Sequence, residues 1–531
     1  PHVDESHVEE ILSNPSNKSL LEILTEGFGI NKSKEKTYTV LGNGGFKRIL
    51  IANRGEIALR IIRACRELNI ESAVVYSENE KDSLSVKFAD KSYSIGKPKN
   101  YLDIKKIVSI AKQNNCDAIH PGYGFLAENP KFAKVCEKKG IKFIGPSSKM
   151  IKKLGDKVEA KKAMLKSNIP VIEGIREDLR SKKHALRVAK RIGWPVILKA
   201  SAGGGGKGMR IVAKEEEMFD AYESAKKEAL NAFADDSLYI EKYLEEPHHI
   251  EFQVLADKYG NVIHLGERDC SIQRRHQKLV EESPSPALNP ELREVMGNAA
   301  VNAIKAIGYE GAGTVEFLLD KSRNFYFIEM NTRIQVEHGV TEMVTNVDLV
   351  KEQIKLAEGA KLAYRQEDIK IEGHAIECRI NAEDPSNDFR PSPGTIFNYL
   401  PPGGPGIRIS SSCHSGCEIL PQFDSLIALL ICYGSTRQEA IARMKRSLGE
   451  FIIEGVKTTI PFHQIVLGKR QFLRGNITTS FIDNNKIMEE LKGIKSKKKE
   501  ELPKEKKVLI VTTAVAQYLA KKQGNANSKK I

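Results

Sequence analysis

Phe325-Tyr-Phe-Ile-Glu-Met-Asn-Thr-Arg-Ile-Gln-Val-Glu-His338 is the stretch from which the fold can be read. As a strand over Tyr326 to Asn331, it places Glu329 and Asn331 on one face and Ile328 and Met330 on the other. Gly313-Thr-Val-Glu316-Phe reads as a neighbouring strand that adds a second carboxylate. Two carboxylates and an amide are the hard oxygen donors that Mg²⁺ takes beside phosphate oxygens. Carried past Asn331, the same alternation delivers Arg333, Gln335 and Glu337. A guanidinium and an amide beside a carboxylate suit a small planar oxyanion that has to lose a proton. An isolated run of this kind is also what the polar edge of a solvent-facing strand looks like, so its surroundings decide.

Upstream, Pro195-Val-Ile-Leu-Lys199 reads as a strand running into Ser201-Ala-Gly-Gly-Gly-Gly-Lys-Gly208. Glycine amides can close on phosphate oxygens and lysines add charge. The P-loop pattern fails, because Met209 follows Gly208 where Ser or Thr is needed. The dinucleotide fingerprint fails as well, because the first strand–helix turn, Ala52-Asn-Arg-Gly-Glu56, has one Gly. What remains is either a plain surface hairpin or a glycine-rich lid over a nucleotide. Two further clusters are dense in polar groups: Glu241-Lys242-Tyr243-Leu244 and Arg268-Asp-Cys-Ser-Ile-Gln273-Arg-Arg-His276-Gln-Lys278.

Further out, strand-like runs at 47–52, 72–76, 118–119 and 142–145 alternate with helical spacing at 54–65 and 104–111. That predicts a parallel, doubly wound sheet over about 46–150. Residues 160–360 read as α+β with antiparallel sheets, and a helix is expected near 437–451. Residues 1–45 suggest short helices at 8–12 and 20–24 before a Gly42–Gly45 linker, and Val508 to Ala520 one isolated strand or helix.

The 531 residues imply several domains, and the net charge of +14 invites a nucleic-acid reading. Residues 491–531, with twelve Lys and three Glu, carry +9 of that charge; residues 1–45 carry −3, and the 445 residues between them +8. Most of the imbalance is a tail, so no nucleic acid is expected on the body. Eight Cys, only Cys413 and Cys417 of them close together, argue against a disulfide framework and for a reducing, cytoplasmic location. Cys413-His414-x-x-Cys417 lacks a second Cys pair nearby and reads as free thiols rather than half a zinc site. The longest apolar run, Leu426 to Tyr433, is one buried strand and far short of the ~20 residues that span a bilayer. The N-terminus has neither an apolar signal core nor the acid-poor composition of a transit peptide.

Six ordered motifs then carry a resemblance: Ile51-Ala-Asn-Arg-Gly-Glu-Ile-Ala58, His120-Pro-Gly-Tyr-Gly-Phe-Leu-Ala-Glu128, Gly155-Asp-Lys157, Glu267 to Lys278, Phe327 to His338 and Glu377-Cys-Arg-Ile-Asn-Ala-Glu383. Over about 46–488 the chain resembles the biotin carboxylase component of biotin-dependent carboxylases. The resemblance implies an ATP-grasp fold, mixed α/β and α+β. Its expected parts are an N-terminal extension (1–45), an N-terminal parallel α/β domain (46–160), and a central ATP-grasp domain (161–358) with a mobile glycine-rich lid at about 172–244. A C-terminal biotin carboxylase domain (359–488) and a lysine-rich extension (489–531) follow.

Position by position, the resemblance implies that Lys157 and Lys199 contact phosphate, with Gly205 and Gly206 in the lid. Glu241, Lys242, Tyr243 and Leu244 resemble the adenine hinge, and His249, Gln273 and His276 further nucleotide contacts. Glu316, Glu329 and Asn331 resemble the ligands of two Mg²⁺ or Mn²⁺ ions. Lys278, Arg333, Gln335 and Val336 resemble the bicarbonate site, Glu337 its base, and Arg379 the group that stabilises biotin as its enolate. The implied reaction activates bicarbonate with ATP as carboxyphosphate and carboxylates biotin on a carrier protein. It is the first half-reaction of an acetyl-CoA/propionyl-CoA or pyruvate carboxylase.

Two positions depart from the pattern. Gly339 stands where Pro is usual, which is expected to loosen the loop after Glu337, and Leu429 stands where Lys is common. No biotinylation tetrapeptide is seen; Arg443-Met-Lys-Arg446 falls in a predicted helix. The expected partners are therefore a separate biotin carboxyl carrier protein, a carboxyltransferase subunit, and a second copy of this chain, with no membrane. A related bicarbonate-using ligase, carbamoyl phosphate synthetase, is the nearest alternative enzyme; Arg333-x-Gln-x-Glu337 with Arg379 speaks for biotin. A degenerate homologue binding RNA through the basic tail would need losses among the metal or phosphate residues, and none is seen.

Overall fold

The computed structural model describes residues 45–175, 178–201 and 208–500. The expected helices at 8–12 and 20–24, residues 42–44, the glycine run 203–207 with Gly205 and Gly206, and the tail segment 508–520 lie outside the described residues.

β1 (Arg48–Ile51), β2 (Glu71–Ser77), β3 (Lys91–Gly96), β4 (Ala118–His120) and β5 (Lys142–Phe143) form a parallel sheet in the order β3-β2-β1-β4-β5. The apolar run Ile49-Leu50-Ile51 is fully buried, as a central parallel strand covered on both faces must be. β3 escaped the sequence reading because it is an edge strand; of Lys91-Ser-Tyr-Ser-Ile-Gly96 only Ile95 is buried. Helix Gly55–Glu67 is buried almost all round. One side packs on this sheet; another meets helix Leu349–Glu358 and apolar residues of the next sheet, including Leu255, Ile263 and Leu265.

β6 (Val196–Ala200), β7 (Arg210–Val212) and β8 (Leu238–Lys242) make a small antiparallel sheet, β7-β6-β8. Helices Lys182–Ile192 and Met218–Phe233 bury Ala185, Val188, Ala189, Tyr222, Ala225 and Ala229 against it. The largest sheet is antiparallel throughout. It comprises β9 (His248–Ala256), β10 (Val262–Arg274), β11 (Gln277–Ser283), β12 (Gly311–Leu319), β13 (Phe325–Asn331), β14 (His374–Asn381) and the strands Leu426–Gly434 and Ile407–Ser411. Its order is β13-β12-β9-β10-β11-β14, then Leu426–Gly434, then Ile407–Ser411. The sheet runs unbroken across residues 358/359, because β14 pairs with β11.

Gly339 does not lie in a loop. Glu337 is the N-cap residue of helix His338–Thr345, so position 339 belongs to the first helical turn. Ile431 fills the space a side chain would take, its Cδ1 standing against the position of a Cβ on Gly339. Gly339→Ala is therefore expected to destabilise by about 1–3 kcal/mol through overpacking, despite alanine's helix preference of about 1 kcal/mol. Thermal melts check this: adding Ile431→Val to Gly339→Ala should recover much of the loss, and a single variant as stable as the parent refutes it.

Candidate active site

The site is built from register. Arg268 on β10 pairs with Glu251 on β9, Glu251 with Glu316 on β12, and Glu316 with Glu329 on β13. Directly opposed residues point to the same side of a sheet, so one row across four strands carries a guanidinium and three carboxylates. Asn331 joins the row, donating to Glu316 Oε1 at 2.7 Å. The structure thus brings Glu316, Glu329 and Asn331 together.

The β10–β11 hairpin brings a cation to that row. Arg275 and His276 turn the chain with φ of +48° and +64°, the geometry of a tight two-residue hairpin, and Gln273 pairs with Lys278. His276 sits exposed at the tip and Gln273 is half-buried beside it. Lys278 Nζ reaches Glu251, Glu316 Oε1 at 3.2 Å and Glu337 Oε1 at 2.7 Å. Burial disfavours its charge, but these three carboxylates hold the ammonium well above its ordinary range.

Beyond Asn331 the strand ends, and Arg333, Gln335 and Glu337 are not delivered by alternation as expected. An irregular segment leads to the helix, and each side chain is aimed by its own partner. Arg333 Nε donates to Glu128 Oε2 at 2.9 Å and Nη2 to Asn331 Oδ1 at 3.1 Å. Gln335 accepts from Arg268 at 2.7 Å and donates to Glu316 Oε1 at 2.8 Å, so Arg268 determines which way its amide faces. Val336 and Gln335 offer their carbonyls to His338 Nδ1. Glu337 Oε2 takes Nη2 of Arg379 at 2.8 Å. Burial would raise the Glu337 carboxyl, but Lys278, Arg379 and Arg268 hold it well below the carboxylate range.

Arg379 on β14 is itself oriented by Glu281 on β11, which accepts from Nε at 2.6 Å. Glu281 faces Glu377 across the β11–β14 ladder, and both carboxyls are buried. Burial pushes Glu281 up to about 7 against the pull of Arg379, and pushes Glu377 well above its ordinary range. Leu429, fully buried, is directly opposite Arg379 on the next strand. A lysine there would share a face with Glu377 and Arg379.

At the other end of the row, Lys157 Nζ lies 3.0 Å from Glu329 and Lys199 Nζ 2.9 Å from Glu241. Lys161, which the sequence reading did not single out, also holds Glu241; burial lowers its ammonium to about 8. Burial opposes ionisation of Glu241, yet Lys199 and Lys161 bring it to about 2. His249 Nε2 is 2.9 Å from Glu316. The Lys242 ammonium donates to the carbonyls of Trp194 (2.7 Å) and Gly193 (3.2 Å), and its backbone N–H to Glu173 O at 2.8 Å. Tyr243 N is bonded to Pro195 O, and Leu244 is half-buried after the end of β8. Arg268, Glu128, Glu251 and Glu281 also escaped the reading as separate roles, because each acts on another side chain.

Three family models match consecutive parts of the chain. They are the biotin carboxylase N-terminal domain (residues 45–151), the carbamoyl-phosphate synthase L chain ATP-binding domain (156–365) and the biotin carboxylase C-terminal domain (377–484). Biotin carboxylase 1 of Bacillus subtilis is 57% identical over 447 residues, covering 83% of this chain and 99% of its own. A pyruvate carboxylase subunit from Methanothermobacter thermautotrophicus is 53% identical over 491 residues, covering 90% of this chain and 100% of its own. The biotin carboxylase domain dimer of Hydrogenobacter thermophilus 2-oxoglutarate carboxylase, solved with MgADP, ADP and bicarbonate, superposes with a TM-score of 0.82. Its identity is 53%, over 84% of this chain and 99% of that one. Biotin carboxylase from Campylobacter jejuni, in a nucleotide complex, gives a TM-score of 0.81 at 50% identity, over 83% of this chain and 99% of that one.

Proposed function

The chain belongs to the biotin carboxylase family, and we propose that the row from Lys157 to Arg379 is where it turns ATP, bicarbonate and biotin over. It is an ATP-dependent carboxylase with an ATP-grasp fold that uses bicarbonate to carboxylate biotin. The observation that carries our residue assignment is Glu337: one oxygen on Lys278, the other on Arg379.

The parts divide by chemistry. Lys157 and Lys199 lie beside Glu329 and Glu241 and are our phosphate contacts, as phosphoryl transfer rests on positioning and charge neutralisation. Glu241, Lys242, Tyr243, Leu244, His249, Gln273 and His276 are our further nucleotide contacts, together with Gly205 and Gly206, which lie outside the described residues. Glu316, Glu329 and Asn331 present hard oxygens on one face and fit Mg²⁺ or Mn²⁺, two ions in our reading. Metal bound there supplies counter-charge to the phosphates. Lys278, Arg333, Gln335 and the Val336 backbone hold bicarbonate. Glu337, held ionised by its cations, takes the bicarbonate proton as its oxygen attacks the γ-phosphate to give carboxyphosphate and ADP. Arg379, fixed by Glu281, faces the ureido oxygen and stabilises the charge that develops there.

Residues 46–160, 161–358 and 359–488 are our catalytic domains. Two relatives are named as subunits, one of pyruvate carboxylase and the other, the small one, of 2-oxoglutarate carboxylase, and the biotin carboxylase domain of the latter enzyme was solved as a dimer. Together they support a homodimer working with a biotin carrier and a carboxyltransferase subunit. The eight cysteines are free, which supports the cytoplasm as location. No described helix is long and apolar enough to cross a membrane. The lysine-rich extension is our candidate docking element for those partners; it begins within helix Ile487–Glu500, whose Leu491 packs in the core, and its residues 501–531 lie outside the described residues.

The test is bicarbonate-dependent ATP hydrolysis stimulated by free biotin. Arg379→Ala should abolish the stimulation, by about 10²-fold or more. Hydrolysis indifferent to bicarbonate and biotin in the parent enzyme would overturn the assignment.

A further inference from the structure

Cys413 and Cys417 lie in the turn between the strands Ile407–Ser411 and Glu418–Ile419, on the C-terminal part of the fold. The chain closes tightly there. Cys417 N donates to His414 O at 3.1 Å, and His414 N donates to Cys417 Sγ at 3.4 Å. Flanking bonds clamp the turn: Gly416 N to Ile396 O at 2.7 Å, Ile396 N to Cys417 O at 2.9 Å, and Cys413 N to Ser411 Oγ at 3.0 Å. Both side chains rest, half-buried, against the apolar core beside Tyr399. His414 turns its Nδ1 to Ser415 O at 2.8 Å, and no three-ligand metal cluster among the described residues includes this turn. The pair is therefore a dithiol rather than a cation site.

We propose that Cys413 and Cys417 form a peroxide-oxidisable dithiol, with Cys417 the attacking sulfur and Cys413 the resolving one. Cys413 beside it and the His414 amide, which donates to Cys417 Sγ at 3.4 Å, favour the Cys417 thiolate and bring it down to about 6, whereas its neighbour Cys417 and burial raise Cys413. His414, Arg54 and Tyr399 are the other titratable or charged groups at the pair. The remaining cysteines are shielded. Burial pushes Cys65 and Cys136 up to about 12, Cys116 and Cys432 to about 11, and Cys270 and Cys378 well above the ordinary range. Only a thiolate attacks a peroxide efficiently, so selectivity follows.

The chemistry balances. Cys417 thiolate attacks hydrogen peroxide; an S–O bond forms, the O–O bond breaks, and hydroxide leaves, so sulfur loses two electrons and the peroxide gains them. Cys413 then gives up its proton and attacks Cys417; an S–S bond forms, the S–O bond breaks, and hydroxide takes that proton as water. Net, two thiols and one hydrogen peroxide give one disulfide and two waters, and a dithiol reductant reverses it.

The test uses the full chain. After mild hydrogen peroxide and alkylation of the remaining thiols, peptide mass spectrometry should show Cys413–Cys417 lacking two hydrogens while Cys432, close by in sequence, is alkylated. Without peroxide, at pH 7, Cys417 should alkylate about tenfold faster than an ordinary thiol. In Cys413→Ser the sulfenic acid on Cys417 should persist and be trapped by dimedone; in Cys417→Ser, Cys413 should stay reduced. A disulfide elsewhere, both thiols still alkylatable after peroxide, or equal oxidation of Cys413 in Cys417→Ser would overturn the proposal.

Discussion

Glu337→Gln is expected to lower bicarbonate-dependent ATP hydrolysis by about 10²–10⁴-fold, the usual worth of a general base, while ATP still binds. The amide keeps a carbonyl for Lys278, so the geometry on that side survives. It cannot accept a proton, and its NH₂ would face a guanidinium that also only donates. The nucleotide end of the row does not touch this residue: Lys157 pairs with Glu329, and Lys199 with Glu241. Nucleotide affinity should accordingly move by less than threefold while kcat collapses. A variant that turns over within tenfold of the parent would remove Glu337 as the base.

Arg268→Met should be the most damaging single change to stability, about 3–5 kcal/mol, a large share of the ~5–15 kcal/mol that holds a domain together. Arg268 is fully buried and donates to Glu251, Gln253, Thr314, Gln335 and Thr341. Methionine fills similar volume but leaves the Glu251 charge with Lys278 and the more distant His249 (3.9 Å), and frees the Gln335 amide to turn over. Denaturant melts read the first effect; in whatever fraction stays folded, a higher bicarbonate KM with unchanged ATP KM reads the second. A loss below 1 kcal/mol would show that Arg268 is not the anchor of the row.

Much of this was legible from the chain. The parallel strands β1, β2, β4 and β5 announced themselves by apolar runs between helical spacings, and the shared face of Glu329 and Asn331 followed from the two-residue period of a strand. β3 was not legible, because an edge strand buries too little to leave a pattern. The reach of alternation was overread past Asn331, where the strand ends. That the Lys242 ammonium goes to the carbonyls of Trp194 and Gly193 was not legible, because those partners lie 48 and 49 positions away along the chain.

What the sequence determined by itself is the set of reacting groups and the family they belong to, since residue types and local periods are carried by neighbours along the chain. What only tertiary structure decided is which groups meet and which way each one points. Arg268 to Gln335 spans 67 positions, and Arg333 to Glu128 spans 205. Arg379 is steered by Glu281 through a ladder between distant strands. Register of that kind comes from burying whole sheet faces together, a sum over the entire core that no local stretch contains.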